Sequence, residues 1–119
     1  MECKVYTCGL EASLDIVGGK WKPLILWALS QGPKRFGELR RLVVGISEKM
    51  LIQQLRDLVS DGVVDRKDFR EIPPHVEYSL TKFGSSLLVA LGPLCEWGSL
   101  HSQRIGKLQA QKDNAAGDE

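Results

Sequence analysis

Lys49, Gln53 and Arg56 stand four and three residues apart. At about 100° per residue, that spacing brings all three to one face of a helix. An ammonium, an amide and a guanidinium side by side can read the edges of stacked bases: Lys and Arg donate to guanine, and Gln makes a two-point pair with adenine. Ser47 lies close by, at the start of the same helix. Arg35, Arg40 and Arg41 precede it and can hold phosphates, while Arg70 and His75 flank a proline pair further on and suit backbone or minor-groove contacts. A helix with Lys, Gln and Arg outside is also the commonest surface helix. The elements that hold these side chains therefore decide the reading.

The second chemical group is the thiols. Cys3, Cys8 and Cys95 are too few and too scattered for a disulfide scaffold. There is no CxxC pair and no His/Cys spacing suited to zinc. Cys8 precedes the first expected helix, whose positive end favours a thiolate. Lys4 adds to that effect and Glu11 opposes it. Cys95 shares the apolar side of Leu91, which predicts a buried, unreactive thiol. His75 and His101 lie far from the N-terminal cysteines, and no nucleophile–base pair, phosphate-binding glycine loop or paired acid site is visible. An enzyme reading, metal or cofactor therefore has no motif behind it.

The elements around Lys49 read as a short helix, a tight turn and a longer helix. Phe36, Leu39 and Leu42 recur every third residue, with Gly37 as the expected N-cap. Gly45 suits a sharp turn, and Ser47 with Glu48 suits a helix start. Leu51, Leu55, Leu58 and Val59 then form a stripe for burial. Lys49, Gln53, Arg56 and Ser60 face the other way. This is a helix-turn-helix whose second helix can enter a major groove.

Before it, Leu10, Leu14 and Val17 predict a short helix stopped by Gly18-Gly19. Trp21 to Leu29 is apolar on most sides: one stripe holds Trp21, Leu24, Ile25 and Ala28, and Leu26, Trp27 and Leu29 fill the other. It is expected to be a buried central helix, with Pro23 tolerated in its first turn. Gly32-Pro33 ends it, and Lys34 to Phe36 suits a short strand. After Ser60-Asp61-Gly62, Val63 to Phe69 reads as extended. Ile72 to His75 reads as a turn, and Val76, Tyr78 and Leu80 alternate with polar residues as a half-buried strand. The prolines should make that loop project. A hairpin after a helix-turn-helix is a wing.

Thr81 suits the N-cap of a last helix, with Phe83, Leu87, Leu88, Leu91 and Leu94 on a wide apolar face extended by Trp97 and Leu100. Pro93 should kink or restart it near Gly92. That apolar surface exceeds what a small domain covers, which points to a subunit interface; packing on the first helix is the alternative. Residues 106–119 read as a polar tail, disordered or a frayed helix, after a domain over residues 1–105.

The net charge is +1, yet residues 20–70 hold eleven Lys and Arg against six Asp and Glu, and the remainder five against nine. A basic middle suits a polyanion. No apolar run approaches a membrane span and the start lacks a signal-peptide pattern, so a cytoplasmic protein without membrane contact is expected.

The strings Gly18-Gly19-Lys20-Trp21-Lys22-Pro23-Leu24-Ile25-Leu26, Arg35-Phe36-Gly37-Glu38-Leu39, Gly45-Ile46-Ser47-Glu48-Lys49-Met50-Leu51, Pro73-Pro74-His75-Val76-Glu77-Tyr78-Ser79-Leu80-Thr81 and Trp97-Gly98 occur in that order. Together they resemble the HxlR-type transcriptional regulators, bacterial winged-helix proteins related to the MarR group. The resemblance spans about Cys8 to His101. It implies a mainly α fold with a small β-hairpin, a winged helix-turn-helix with N- and C-terminal dimerisation helices. It also implies a homodimer on an inverted-repeat DNA operator near a promoter. The expected role is that of a repressor rather than an activator. Leu10, Leu14, Leu91, Leu94 and Trp97 are the expected interface. Family members commonly carry a cysteine at the position of Cys8, and several use it to sense oxidants or electrophiles; Gly9 stands where the family often has Pro. Cys8 of one subunit and Cys95 of the other form the candidate sensor pair, with a small molecule between the dimer helices as the alternative signal. A winged helix that binds protein rather than DNA is the other functional reading, and a thiol-based enzyme using Cys8 or Cys95 is a third.

Overall fold

In the computed structural model, which describes residues 4–117, six helices and one hairpin follow in order. They are α1 (Gly9–Val17), α2 (Trp21–Leu29), α3 (Phe36–Leu42), α4 (Glu48–Ser60), β1 (Val64–Asp68), β2 (Val76–Leu80), α5 (Lys82–Leu100) and α6 (Ser102–Gly117). The fold is mainly α with a two-stranded antiparallel sheet. The chain divides into two units, one ending at Leu88 and one starting at Val89.

The core of the first unit is built on α2 and α4. Ile25, Leu26, Ala28 and Leu29 of α2 and Leu51, Leu55 and Leu58 of α4 are buried, joined by Leu39 of α3 and by Val63 and Val64 at the start of the hairpin. Burying one such side chain contributes roughly 1.5–3 kcal/mol. α2 packs on α3, α4 and β2. It is not buried on every side, however. Trp27 is 60% exposed and Leu24 42%, because α3, α4 and the hairpin all cover one side of this helix.

The turn between α3 and α4 takes the expected form. Gly45 has φ of +90°, a conformation costly for any residue with a Cβ. Ser47 caps α4: its hydroxyl accepts from the Met50 N–H at 3.1 Å. The start of α3 differs from expectation. Arg35, not Gly37, is the N-cap, with extended backbone. The Arg35 N–H donates to the Glu38 carboxylate at 3.1 Å, half of a capping box, so the helix begins two residues earlier than expected. That leaves no strand over residues 34–36. Lys34 alone pairs with Tyr78, exchanging backbone hydrogen bonds of 2.9 and 2.8 Å.

In the hairpin Val64 pairs with Leu80, Arg66 with Tyr78 and Asp68 with Val76. The alternation expected along β2 does not become alternating burial; all five residues are half-buried. A two-stranded ribbon has solvent near both faces, and Lys34 covers its outer edge. Ile72 in the loop is fully exposed, as projection predicts.

Thr81 caps α5. Its hydroxyl accepts from the Gly84 N–H at 3.0 Å and donates to the Gly62 carbonyl at 2.6 Å, tying the end of the hairpin back to its start. α5 runs unbroken past Pro93 to Leu100, contrary to the expected restart. Proline removes only the bond to the Val89 carbonyl, and the helix tolerates that loss. The break comes at His101 instead. Residues 106–117, expected to be disordered or a frayed helix, lie in α6. Its Gln, Lys, Leu and Ala are good helix formers. Residues 118–119 and Cys3 lie outside the described residues.

Gly84 is buried, and a Cβ there would collide with the backbone carbonyl of Val63. Gly84→Ala should lower unfolding stability by about 1–3 kcal/mol, the usual cost of overpacking, read as a drop in urea midpoint. An unchanged midpoint would mean that α5 can slide away from the hairpin without loss.

Candidate nucleic-acid interface

The outer face of α4 follows from its inner one. With Leu51, Leu55 and Leu58 buried, the helix cannot rotate without exposing them, so Lys49, Gln53, Arg56 and Ser60 must face solvent. All four are exposed. Glu48, Lys49, Ile52, Gln53 and Arg56 line a shallow concavity. A second continues it along Ile52, Arg56, Val59 and Ser60 to Arg66 and Tyr78 of the hairpin. Ile52 and Arg56 belong to both, so one surface runs from α4 onto β1.

Arg66 is the residue that sequence reasoning passed over in favour of Arg70 and His75. The pairing of β1 with β2 sets Arg66 opposite Tyr78 and brings it to the surface shared with α4.

The remaining candidates separate into free and committed cations. Among the described residues Lys49, Arg41, Arg56, Arg66 and Arg70 make no ion pair. Arg40 meets Glu48 at 3.7 Å, both exposed, a contact worth little in water and easily exchanged for a phosphate. Gln53 Nε2 lies 3.5 Å from Asp57, whose other oxygen is 3.6 Å from Lys22. Gln53 is thus held loosely enough to turn to a ligand. Arg35 donates from its guanidinium to the Pro74 carbonyl at 3.1 Å. It reaches the wing loop directly, across 39 residues of sequence.

The wing loop is internally braced. Arg70 has φ of +54°, and its N–H donates to the Asp68 carboxylate at 2.8 Å. His75 stacks on Phe69 with centroids 4.3 Å apart. Its Nε2 lies 2.7 Å from Glu77 and its Nδ1 3.4 Å from Glu71. His75 is therefore engaged within the hairpin, while Arg70 points its charge outward. Lys67 lies over the Phe69 ring at 4.6 Å.

The thiols differ from expectation in one respect. Cys8 is exposed, at the N-cap of α1, with no side-chain capping bond. Cys95, expected to be buried beside Leu91, is exposed as well, because the side of α5 that carries it has no cover in its own unit. The arm before Cys8 is tied along α1: Lys4 donates to Asp15 at 2.7 Å and the Tyr6 hydroxyl donates to the same carboxylate. Those hydrogen bonds hold the Asp15 carboxyl below its ordinary range and raise Lys4 and Tyr6 above theirs.

The expected interface residues are largely open in this single chain. Leu10 and Leu14 are 67% and 55% exposed, and Leu94 and Trp97 64% and 57%; Leu91 is half-buried. Among the described residues no His, Cys, Asp or Glu cluster is suited to a metal ion, and no helix is long and apolar enough to cross a membrane.

A family model described as an HxlR-like helix-turn-helix matches residues 16–105. The HTH-type transcriptional regulator YtcD of Bacillus subtilis (strain 168) is 49% identical over 105 residues, 88% of this chain and 83% of that protein. Among solved structures, the redox regulator HypR in its reduced form superposes with a TM-score of 0.78 at 40% identity, covering 84% of this chain and 99% of that one. Its oxidized form gives 0.73 at 44% identity, covering 77% and 95%.

Proposed function

The chain belongs to the HxlR-like helix-turn-helix family and is a transcriptional regulator of helix-turn-helix type; on that premise we propose that it represses transcription as a homodimer on an inverted-repeat operator. The observation that carries the reading is the continuous exposed surface of Lys49, Gln53, Arg56 and Arg66, on a helix locked by buried leucines. In this reading α4 lies in the major groove. Lys49, Gln53 and Arg56 meet base edges, with Ser47 beside them at the helix start. Arg40 and Arg41 hold phosphates of the same groove, and Arg66 and Arg70 meet the backbone towards the wing. His75 supports the wing from within and reaches DNA only at its exposed edge. A dimer over a promoter then excludes polymerase.

The exposed leucines of α1 and of α5 support the dimer. Two such patches seldom stay bare on a soluble chain, and a second copy would cover both by a two-fold axis. The exposed Cys8 and Cys95 support a thiol signal, and HypR is described as a redox regulator solved in reduced and oxidized forms. In the proposed switch Cys8 of one subunit and Cys95 of the other lose two protons and two electrons to hydrogen peroxide, which leaves as two waters. The disulfide formed changes the spacing of the two α4 helices and releases DNA. The bridge requires Cα atoms within about 7 Å.

The decisive experiment separates two kinds of contact on duplexes selected from a random pool. Arg41→Ala should weaken all duplexes alike and lower the salt slope by about one unit. Gln53→Ala should cost about 1–3 kcal/mol on the selected operator and little on random DNA. If Gln53→Ala leaves the ratio of the two affinities unchanged, α4 does not read bases through this face. No salt-dependent duplex binding at all would leave a protein-interaction module.

Leu94→Asp should convert the dimer to monomer in sedimentation and abolish operator binding, since it buries an unpaired charge at the interface. A parent chain that is monomeric at micromolar concentration yet binds its operator undiminished would remove the dimer. Half-sites should lie about 10 base pairs apart or at a multiple of it.

Treatment with a mild peroxide should lower operator affinity of the parent, while Cys8→Ser stays bound. An equal response of parent and Cys8→Ser assigns the signal elsewhere, with a non-covalent ligand next in line.

A further inference from the structure

We infer that Arg35 is a positioning residue for the wing, which holds the hairpin loop at the correct reach from α4, rather than a phosphate ligand in its own right. Its guanidinium donates to the Pro74 carbonyl at 3.1 Å, a charge-assisted bond with a directional acceptor. The loop between β1 and β2 has other hydrogen bonds, but each stays within the hairpin. Phe69 N–H meets the His75 carbonyl, Arg70 N–H meets Asp68, and His75 meets Glu71 and Glu77. Among the described residues, the Arg35–Pro74 bond is the one hydrogen bond that joins residues 69–75 to an element outside the hairpin.

The other end of this tie is fixed too. Arg35 is the N-cap of α3, and its N–H is held by Glu38. Its neighbour Lys34 makes the two-bond bridge to Tyr78. The residue pair 34–35 therefore grips the hairpin twice, at mid-strand through the backbone of Lys34 and near the tip through the side chain of Arg35. A two-stranded ribbon alone is only marginally stable and free to bend. With both grips, the distance from the α4 face to Arg70 becomes a property of the fold.

This role rests on the DNA-binding reading above, and its test has one readout with DNA and one without. With DNA, the parent and Arg35→Ala are titrated against the full operator and against an operator cut back at the flank beyond the α4 contacts. Truncation should weaken the parent about tenfold, as loss of one or two backbone contacts does. It should weaken Arg35→Ala less than about twofold, because the variant's wing has already lost its placement. On the truncated duplex the two proteins should show equal salt slopes. Multiplying losses, with a salt slope lower by about one unit for the variant on the truncated duplex, would make Arg35 a phosphate ligand and overturn the inference.

Without DNA, amide hydrogen exchange is followed in the free chain. Arg35→Ala should speed exchange at Phe69 and Arg70, whose N–H groups are bonded within the loop, while leaving Leu55 and Leu58 of α4 unchanged. Loop exchange identical to that of the parent overturns the inference whatever the DNA result. A parent that binds no duplex but shows the loop effect would overturn the DNA-binding reading and keep the tie.

Discussion

The structure depends on the burial of one side of α4. Leu51, Leu55 and Leu58 sit against α2, with Leu39, Val63 and Val64 closing the same core. Removing any one of these leucines would open a cavity costing about 2–5 kcal/mol, a large share of a small domain's stability. That cost fixes the rotation of the helix about its own axis. The polar face is thereby fixed as well: no interaction of Lys49, Gln53 or Arg56 is needed to aim them. A side chain that is not needed for stability can be kept for a ligand, and the loose contact of Gln53 with Asp57 fits that division of labour.

The hairpin depends on the same core at one remove. Its first residues, Val63 and Val64, are buried with α4, and Thr81 closes its far end onto the Gly62 carbonyl. Between these points the hairpin leans on residues 34 and 35. Cations of α4 and of β1 thus come to share a surface, although they are distant in sequence and belong to elements of different kind. Charge is distributed accordingly. Glu48 and Asp57 each lie near a cation of the same unit, which leaves Lys49, Arg56 and Arg66 as the uncompensated positive charge along that surface.

The second theme is apolar surface left uncovered. Within the first unit Leu10 and Leu14 are open, and within the second Leu94 and Trp97. Burying a leucine on association removes it from water at the same gain per area as in folding. Each unit also carries an exposed thiol near its open apolar residues, Cys8 at the start of α1 and Cys95 beside Leu94 in α5.

Much of this was legible in the residues. Gly45, Ser47 and the leucine spacing identify the helix-turn-helix, since a positive φ, a capping hydroxyl and a buried stripe each demand a particular residue type at a particular position. Thr81 as a cap and the hairpin over 64–80 follow from the same local chemistry. What local chemistry does not contain is which side of an element meets a neighbour. Trp21 to Leu29 is apolar on most sides, and only packing leaves Trp27 and Leu24 outside. Arg35 has the charge of a phosphate ligand, but the return of the hairpin 39 residues later offers it the Pro74 carbonyl. Arg66 comes to the surface shared with α4 through strand register, and Cys95 is open because nothing in its own unit covers that side of α5. Propensity and spacing act over a few residues, whereas exposure, ion pairing and the choice of hydrogen-bond partner are set by chain segments that meet only after folding.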